Sequence, residues 1–307
     1  MRRSNCMATL AIVGTVLAVA TQEARQERVA LELHDVAENL YMLSNASSVD
    51  GMGGGGNTAI FVTGSGVVLV DTKINGYGQD ILAEVRRITD QPVTTIINTH
   101  NHYDHSGGNV EFSDTVNFVV HENARAQMAR ANCEPVTNCD AFKGANEKYL
   151  PETTYSDQLS LFSGSDQIDL YHFGRGHTDG DTFVVFRAVG AMHTGDMFAR
   201  KGLPFIDAVN GNGSATEFGL TLQKAVEGIS NVDTVIPGHA TAVHTWSDFV
   251  DSSGFYNDVV AKAQRAKAAG QSVEEFIRSY RAPSEYSDFE VEEGRLTSIA
   301  GYLFDGR

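Results

Sequence analysis

Cysteine is scarce in this 307-residue chain: there are three, and one of them, Cys6, lies close to the N-terminus. A thiolate-rich zinc module and a small fold held together by crosslinks are both excluded on that count. Basic residues are also few, 23 Lys and Arg against 39 Asp and Glu, for a formal charge of -16. Such a surface repels phosphate backbones, so no nucleic-acid partner is expected. Long apolar runs are missing too. The longest, residues 7–20, is shorter than the ~20 residues needed to span a bilayer. Arg2 and Arg3 before it and Ala18-Val19-Ala20 at its end make it a secretory signal peptide, residues 1–20. Cys6 precedes the run, which argues against a lipid anchor, and no stable membrane anchor is expected after processing. The protein is therefore expected to be exported, to the periplasm, as a domain of residues 21–307, two units more negative once Arg2 and Arg3 are gone. In that compartment Cys133 and Cys139 are expected to pair as a short-loop disulfide. No period of twenty to fifty residues repeats, so a solenoid is excluded.

Histidine and aspartate are concentrated instead. Thr99-His100-Asn101-His102-Tyr103-Asp104-His105-Ser106-Gly107-Gly108 puts three imidazoles and a carboxylate into six positions, directly after the apolar run Val93–Ile97. Strand followed by glycine-rich turn lets side chains of both parities converge, and His nitrogen with Asp oxygen suits zinc. His177 lies in a loop between strand-like segments, while Asp196 and His239 close the short apolar runs 191–196 and 234–239 beside a glycine. Four polar clusters at strand ends are a pattern that one such residue is not. His172, His193 and His244 lack this punctuation and are read as structural or surface residues.

Taken together, these residues resemble the metallo-β-lactamase superfamily over residues 33–280. Its HxHxDH motif stands as His100, His102, Asp104 and His105, its later histidines as His177 and His239, and its bridging aspartate as Asp196. Asp71, closing Val67-Val68-Leu69-Val70-Asp71, falls where the family has an early strand-end aspartate that orients metal-bound histidines. The resemblance implies two zinc ions, one on His100, His102 and His177, the other on Asp104, His105 and His239, with Asp196 bridging. It implies a bridging hydroxide attacking the carbonyl of an ester, lactone, thioester or β-lactam, with Asp104 carrying protons. Asp196 stands where many zinc β-lactamases have Cys, and this is nearer the lactonase and thioesterase pattern. The alternatives are an iron redox enzyme of the same fold, mononuclear or dinuclear, and a non-catalytic metal scaffold. Small molecules are the expected substrates; oligomeric state is left open.

The implied fold is α/β, a four-layer αβ/βα sandwich. Strand-like runs at 57–62, 66–71, 93–98, 117–121 and 234–237, a strand series between 158 and 194, and helical spacing at 79–88, 122–131 and 215–229 agree with it. Residues 246–307 read as a helical part, with one helix over 249–269 and a capping box at Ser272 and Glu275 opening another over 273–280. The acidic, aromatic tail after Pro283 is assigned to core packing. Two loops are candidates for shaping a pocket: the glycine-rich 44–57, either a mobile flap or a permissive hairpin, and 197–213, where Arg200, Lys201 and Phe205 are candidate substrate contacts.

Overall fold

Strand β4 (Gly66–Val70) is buried along its whole length, and its alternate residues belong to different cores. Val68 and Val70 face one apolar layer with Leu40, Ile97, Leu170, Val184 and Ile236, whereas Val67 and Leu69 face another with Ile81, Val85, Ile96 and Phe118. Period-two alternation with both faces apolar requires a sheet covered on both sides. The computed structural model, which describes residues 28–46, 53–133, 136 and 139–306, has that arrangement twice.

The first sheet has seven strands in sequence order: β1 (Leu31–Ala37), β2 (Leu40–Asn45), β3 (Thr58–Thr63), β4, β5 (Val93–Ile97), β6 (Asn117–His121) and β7 (Thr153–Tyr155). Pairing is antiparallel up to β4 and parallel from β4 to β7. The second sheet runs β13 (His244–Thr245), β12 (Thr234–Ile236), β11 (Ala191–His193), β10 (Phe183–Phe186), β9 (Ile168–Tyr171), β8 (Gln158–Leu161). In β10, Val184 and Phe186 point between the sheets while Phe183 and Val185 point at the helices outside. On the outer face of the first sheet lies α1 (Gly78–Ile88), through Ile81 and Val85. Short helices α2 (Tyr103–Ser106) and α3 (Glu122–Met128) follow β5 and β6. The second sheet is covered by α4 (Ala215–Gly228), α5 (Trp246–Ala268), α6 (Val273–Ser279) and α7 (Glu293–Asp305). The four-layer αβ/βα sandwich is the fold.

Several element boundaries differ from the sequence expectation for identifiable reasons. β1 and β2 are not marked by the sequence pattern because β1 is a half-buried edge strand whose alternation is interrupted by His34 and Asp35. α5 begins at Trp246, three residues early, because Thr245 and Asp248 form a capping box. Ser272 and Glu275 form the expected one for α6. Residues 1–20, assigned to a signal peptide, lie outside the described residues, and among those described no helix is long and apolar enough to cross a membrane.

Cys133 and Cys139 are bonded, with their Cα atoms 5.4 Å apart. Thiol titration of denatured, unreduced protein lacking residues 1–20 is therefore expected to find no free thiol; two free thiols would refute the bridge.

Candidate metal centre

Five strand ends meet at one edge of the sandwich. β4 leads into Asp71, β5 into Thr99 and α2, the β9–β10 connection carries His177, and β11 and β12 lead to Asp196 and His239. The first sheet thus supplies His100, His102, Asp104 and His105, and the second supplies His177, Asp196 and His239. All seven converge into two adjoining groups. In one, His177 Nε2 lies 3.2 Å from His100 Nε2 and 2.9 Å from His102 Nδ1. In the other, His239 Nε2 lies 3.2 Å from His105 Nε2 and 3.3 Å from Asp104 Oδ2. Asp196 stands between them: its Oδ1 is 3.3 Å from His105 Nε2 and 3.2 Å from His239 Nε2, and its Oδ2 is 3.7 Å from His177 Nε2.

The first group fits a cation for a reason that lies in its outer hydrogen bonds. His102 Nε2 donates to Asp207 Oδ2 at 3.0 Å, and His177 Nδ1 donates to the Phe205 carbonyl at 2.8 Å. Thr99 Oγ1 donates to Asp71 Oδ2 at 2.7 Å and so accepts from His100 Nδ1 at 3.0 Å. A neutral imidazole has a single N–H, and in each ring these partners direct it outward. With the rings neutral, three bare nitrogen lone pairs then face one another, His177 Nε2 lying at about hydrogen-bond distance from each of the other two. Contact of that kind is repulsive unless a positive ion takes all three. Burial, reinforced by neighbouring His105, His102 and His177, holds His100 well below the usual histidine range, and burial with His102 brings His177 to about 4. Protons therefore do not relieve the repulsion at neutral pH.

The second group is different. Burial opposes a charge on His105, but Asp196, Asp104 and Asp71 hold its pKa well above the usual value. Burial likewise opposes the Asp196 carboxylate, yet His239 and His105 hold it well below the carboxylate range. Asp196 Oδ1 is buried and makes no well-directed hydrogen bond among the described residues, its nearest neighbours being the ring nitrogens of His105 and His239. A buried carboxylate oxygen set among imidazole nitrogens again fits a cation. Because His105 carries a proton in the metal-free protein, a metal must displace it, whereas the first group has none to displace. Falling pH should therefore weaken metal binding at the second group before the first, where burial keeps His100 and His177 from taking up protons. Metal analysis after dialysis from pH 7.5 to 5 against a weak chelator checks this; simultaneous loss from both groups contradicts it.

Asp71 has the orienting position expected of it. It is fully buried and accepts from Thr99 N at 2.8 Å, from Thr99 Oγ1 and from His105 Nδ1 at 2.7 Å. One carboxylate thus orients His105 directly and His100 through Thr99. Asp207, which does the same for His102, is absent from the sequence reading. Burial opposes its charge, but the hydrogen bonds from His102 and from Asn210 N bring its pKa to about 2. Its one sequence signal is position, two residues after Phe205 in the loop that follows Asp196. His239 alone lacks such support, since its outer Nδ1 is buried without a partner among the described residues.

The glycine-rich segment is no flap where it is described. Gly54, Gly55 and Gly56 are buried, and a Cβ on Gly56 would lie 2.2 Å from the His105 ring, so only glycine allows this approach. Lys73, fully buried and also unmarked by the sequence, fixes this floor: its Nζ donates to the Gly56 carbonyl at 2.8 Å. Burial brings that ammonium down to about 7, against the attraction of Asp104 and Asp71. Residues 47–52 lie outside the described residues.

Above the two groups opens a cavity of about 810 Å³, lined in part by His102, Asp104, Asp196, His239, Arg200, Phe205, Glu292 and Arg295. Phe205 is where it was expected, its ring 5.8 Å from that of His177. Arg200 also lines the cavity. Lys201 does not, which corrects its assignment as a substrate contact: its ammonium is held between Asp248 Oδ1 at 2.7 Å and Asp288 Oδ2 at 2.5 Å. Successive residues of the loop point opposite ways. The tail after Pro283 packs into the core through Phe289, Leu296 and Ile299, as expected, but it also delivers Arg295 and Glu292 to the cavity wall. Of the histidines set apart from the site by the sequence pattern, His193 is buried and bonded to Asn57 O and Gly195 N, His172 stacks on His121, and His244 packs on Phe198. All are structural.

A family model described as the metallo-beta-lactamase superfamily matches residues 51–239. The chain belongs to that superfamily. It is 22% identical over 218 residues to a metallo-beta-lactamase type 2 from Elizabethkingia meningoseptica, covering 70% of this chain and 80% of the relative. Its fold is similar to that of a metallo-beta-lactamase from Pontibacter korlensis (TM-score 0.60, 19% identity, 74% of this chain and 99% of that one). It is likewise similar to the DIM-1 metallo-beta-lactamase, solved after exposure to ceftazidime (TM-score 0.59, 18% identity, 75% and 98%). This superfamily member is a metal-dependent hydrolase, carrying His and Asp clusters able to hold metal ions.

Asp207→Ala is expected to weaken metal binding by the His100, His102 and His177 group by about 10- to 100-fold, the usual effect of losing a carboxylate that orients a ligand. Chelator competition measures it, and an unchanged affinity would remove Asp207 from the centre.

Proposed function

We propose that the protein is an exported binuclear zinc hydrolase that opens small carbonyl compounds, the class of esters, lactones, thioesters and β-lactams. The observation carrying this reading is the set of inward-facing imidazole nitrogens, with the buried Asp196 carboxylate between the two groups, at the floor of an open cavity. Structural zinc sites are closed and usually rich in thiolate, whereas these groups contain neither cysteine nor a closed shell. Zinc is favoured over iron by the number of ligands, since His100, His102, Asp104, His105, His177, Asp196 and His239 provide two adjoining groups where a mononuclear ferrous site would need one facial set. Support for export comes from the signal-like residues 1–20 and from the Cys133–Cys139 bond. The formal charge of -16 favours a small-molecule substrate over nucleic acid.

When bound, the metal ions supply Lewis acidity and a water whose pKa falls towards ~7. The chain supplies the rest. His100, His102 and His177 would hold one ion and His105, His239 and Asp104 the other, with Asp196 standing between the two groups. Asp71, Thr99 and Asp207 fix the ring orientations so that no reorganisation is needed as charge develops. Asp104 Oδ2, on the cavity floor, takes up the proton of the attacking water and returns it to the leaving atom. Phe205, Leu203 and Pro204 give the substrate an apolar wall and exclude water from the reacting carbonyl.

The purified protein should bind two equivalents of zinc, and Asp196→Ala should weaken the second group more than the first. A zinc-loaded preparation that never exceeds one equivalent would refute the binuclear assignment. Assays of lactams, lactones, thioesters, phosphodiesters and sulfate esters with wild type and Asp104→Asn test the reaction. Carbonyl hydrolysis that disappears with chelator and falls by about 100-fold or more in Asp104→Asn is expected, the range that a positioned proton carrier supplies. Activity confined to phosphodiesters, or undiminished without the Asp104 carboxylate, would overturn it.

A further inference from the structure

The family match ends at residue 239, and one wall of the cavity is built after it. That wall comes from the segment entering α7 and from its first turn, and it brings Glu292 and Arg295 opposite Arg200 and Phe205 of the loop after Asp196. Arg295 is half-buried and its guanidinium lies 5.0 Å from the centre of the Phe205 ring. Its Nε is 3.7 Å from Glu292 Oε2, and the same oxygen is 3.5 Å from Arg200 Nη2. Two guanidinium groups therefore share one carboxylate oxygen, at distances too long for close hydrogen bonds. Glu292 is exposed, and a loose pair of this kind in solvent contributes little. Arg295 is thus a partly desolvated fork of donors beside an aromatic face, held by a partner that is easily displaced.

We propose that Arg295 is the substrate-anchoring residue of this cavity, binding a carboxylate on the substrate while Phe205 packs against the adjoining apolar part. Glu292 occupies the place of that carboxylate in the free protein and swings to solvent when it arrives. Arg200 adds charge but is the lesser contact because it does not lie over the Phe205 ring as Arg295 does. Glu290, also exposed on the rim, repels anions that lack an apolar body to bury against Phe205. This assignment rests on the hydrolase reading for its meaning, since it selects acidic members of the carbonyl class, but it makes a claim about binding that stands alone. A guanidinium and a carboxylate in a semi-buried site match bidentately, and lysine reproduces the charge without the fork.

The test uses 3-phenylpropanoate and its uncharged twin 3-phenylpropanamide, titrated calorimetrically into the zinc-loaded protein. Wild type should prefer the carboxylate by about tenfold or more, the usual scale of a hydrogen bond to a charged group. Arg295→Ala should abolish the preference, Arg295→Lys should keep part of it, and Glu292→Gln should increase it, all with zinc content unchanged. If Arg295→Ala keeps the preference, the carboxylate is held by the metals or by Arg200 and the proposal falls. It falls equally if wild type shows no preference, or if Glu292→Gln weakens carboxylate binding. Should Arg295→Ala fail to fold, the lysine and Glu292 variants decide alone. With any ester or lactone that is turned over, Arg295→Ala should raise KM for the carboxylate-bearing form about tenfold and leave kcat and the neutral form nearly unchanged; an equal loss on both forms overturns the assignment. Absence of turnover on every substrate would sink the hydrolase reading and leave the calorimetric result standing.

Discussion

Three imidazole nitrogens that face one another without a proton are the constraint around which this molecule is built. Each ring could escape by turning over, since either nitrogen can carry the hydrogen. Asp207, Thr99 with Asp71, and the Phe205 carbonyl prevent that by taking the hydrogen on the far side. Thr99 is placed by the end of β5, and Asp207 is tied within its loop by Asn210 N and by backbone bonds to His177 and Gly213. The strain of the bare nitrogens is thereby stored in the fold and released only by a cation. A buried lysine repeats the logic on a smaller scale, Lys73 being held against its own desolvation by the backbone of Gly56 and by nearby carboxylates.

The ligands were legible in the sequence because they are chemically conspicuous and locally punctuated: a His-rich hexad after an apolar run, and His or Asp beside glycine at three further strand ends. The sandwich was legible for a related reason, as helical and strand periods alternate through residues 57–237. What the sequence concealed is the set of partners. Asp207 and Thr99 are ordinary residues whose roles exist only once loops fold back on the rings they support, and no local pattern distinguishes Asp207 from an exposed loop aspartate. Composition was misleading in two places. Consecutive glycines left a flap and a permissive hairpin equally open, whereas Gly54, Gly55 and Gly56 form a buried floor under His105, and of the two adjacent cations offered as substrate contacts only Arg200 lines the cavity. β1 escaped notice because an edge strand with one wetted face has a weaker alternation than the buried strands.

The division of the cavity is also a division of roles. Its floor is formed by the clustered His and Asp side chains of the elements matched by the superfamily model, a span that also includes the loop after Asp196. One side belongs to the loop after Asp196 and to the C-terminal segment, whose aromatic residues lock into the helical layer while its charged ones face inward. Packing and recognition thus share a single stretch of chain, and the tail cannot be treated as a dispensable cover.

Asn57 ties these parts together in a way that bears on how the protein comes to exist. Its side-chain amide donates to the carbonyls of Pro237 and Ala240, its backbone N–H donates to Gly238, and its own carbonyl accepts from His193, so a single residue at the start of β3 grips the turn carrying His239. These contacts join residues about 180 positions apart in sequence. Each ligand group likewise draws on both sheets, so neither half of the chain contains a complete set. Closing so long a loop costs entropy before any contact offsets it, and pairings of this range are slow to form. Assembly of the centre is therefore a late event in folding, and a nascent chain presents free imidazoles and thiols to its surroundings well before it has anywhere to place a metal.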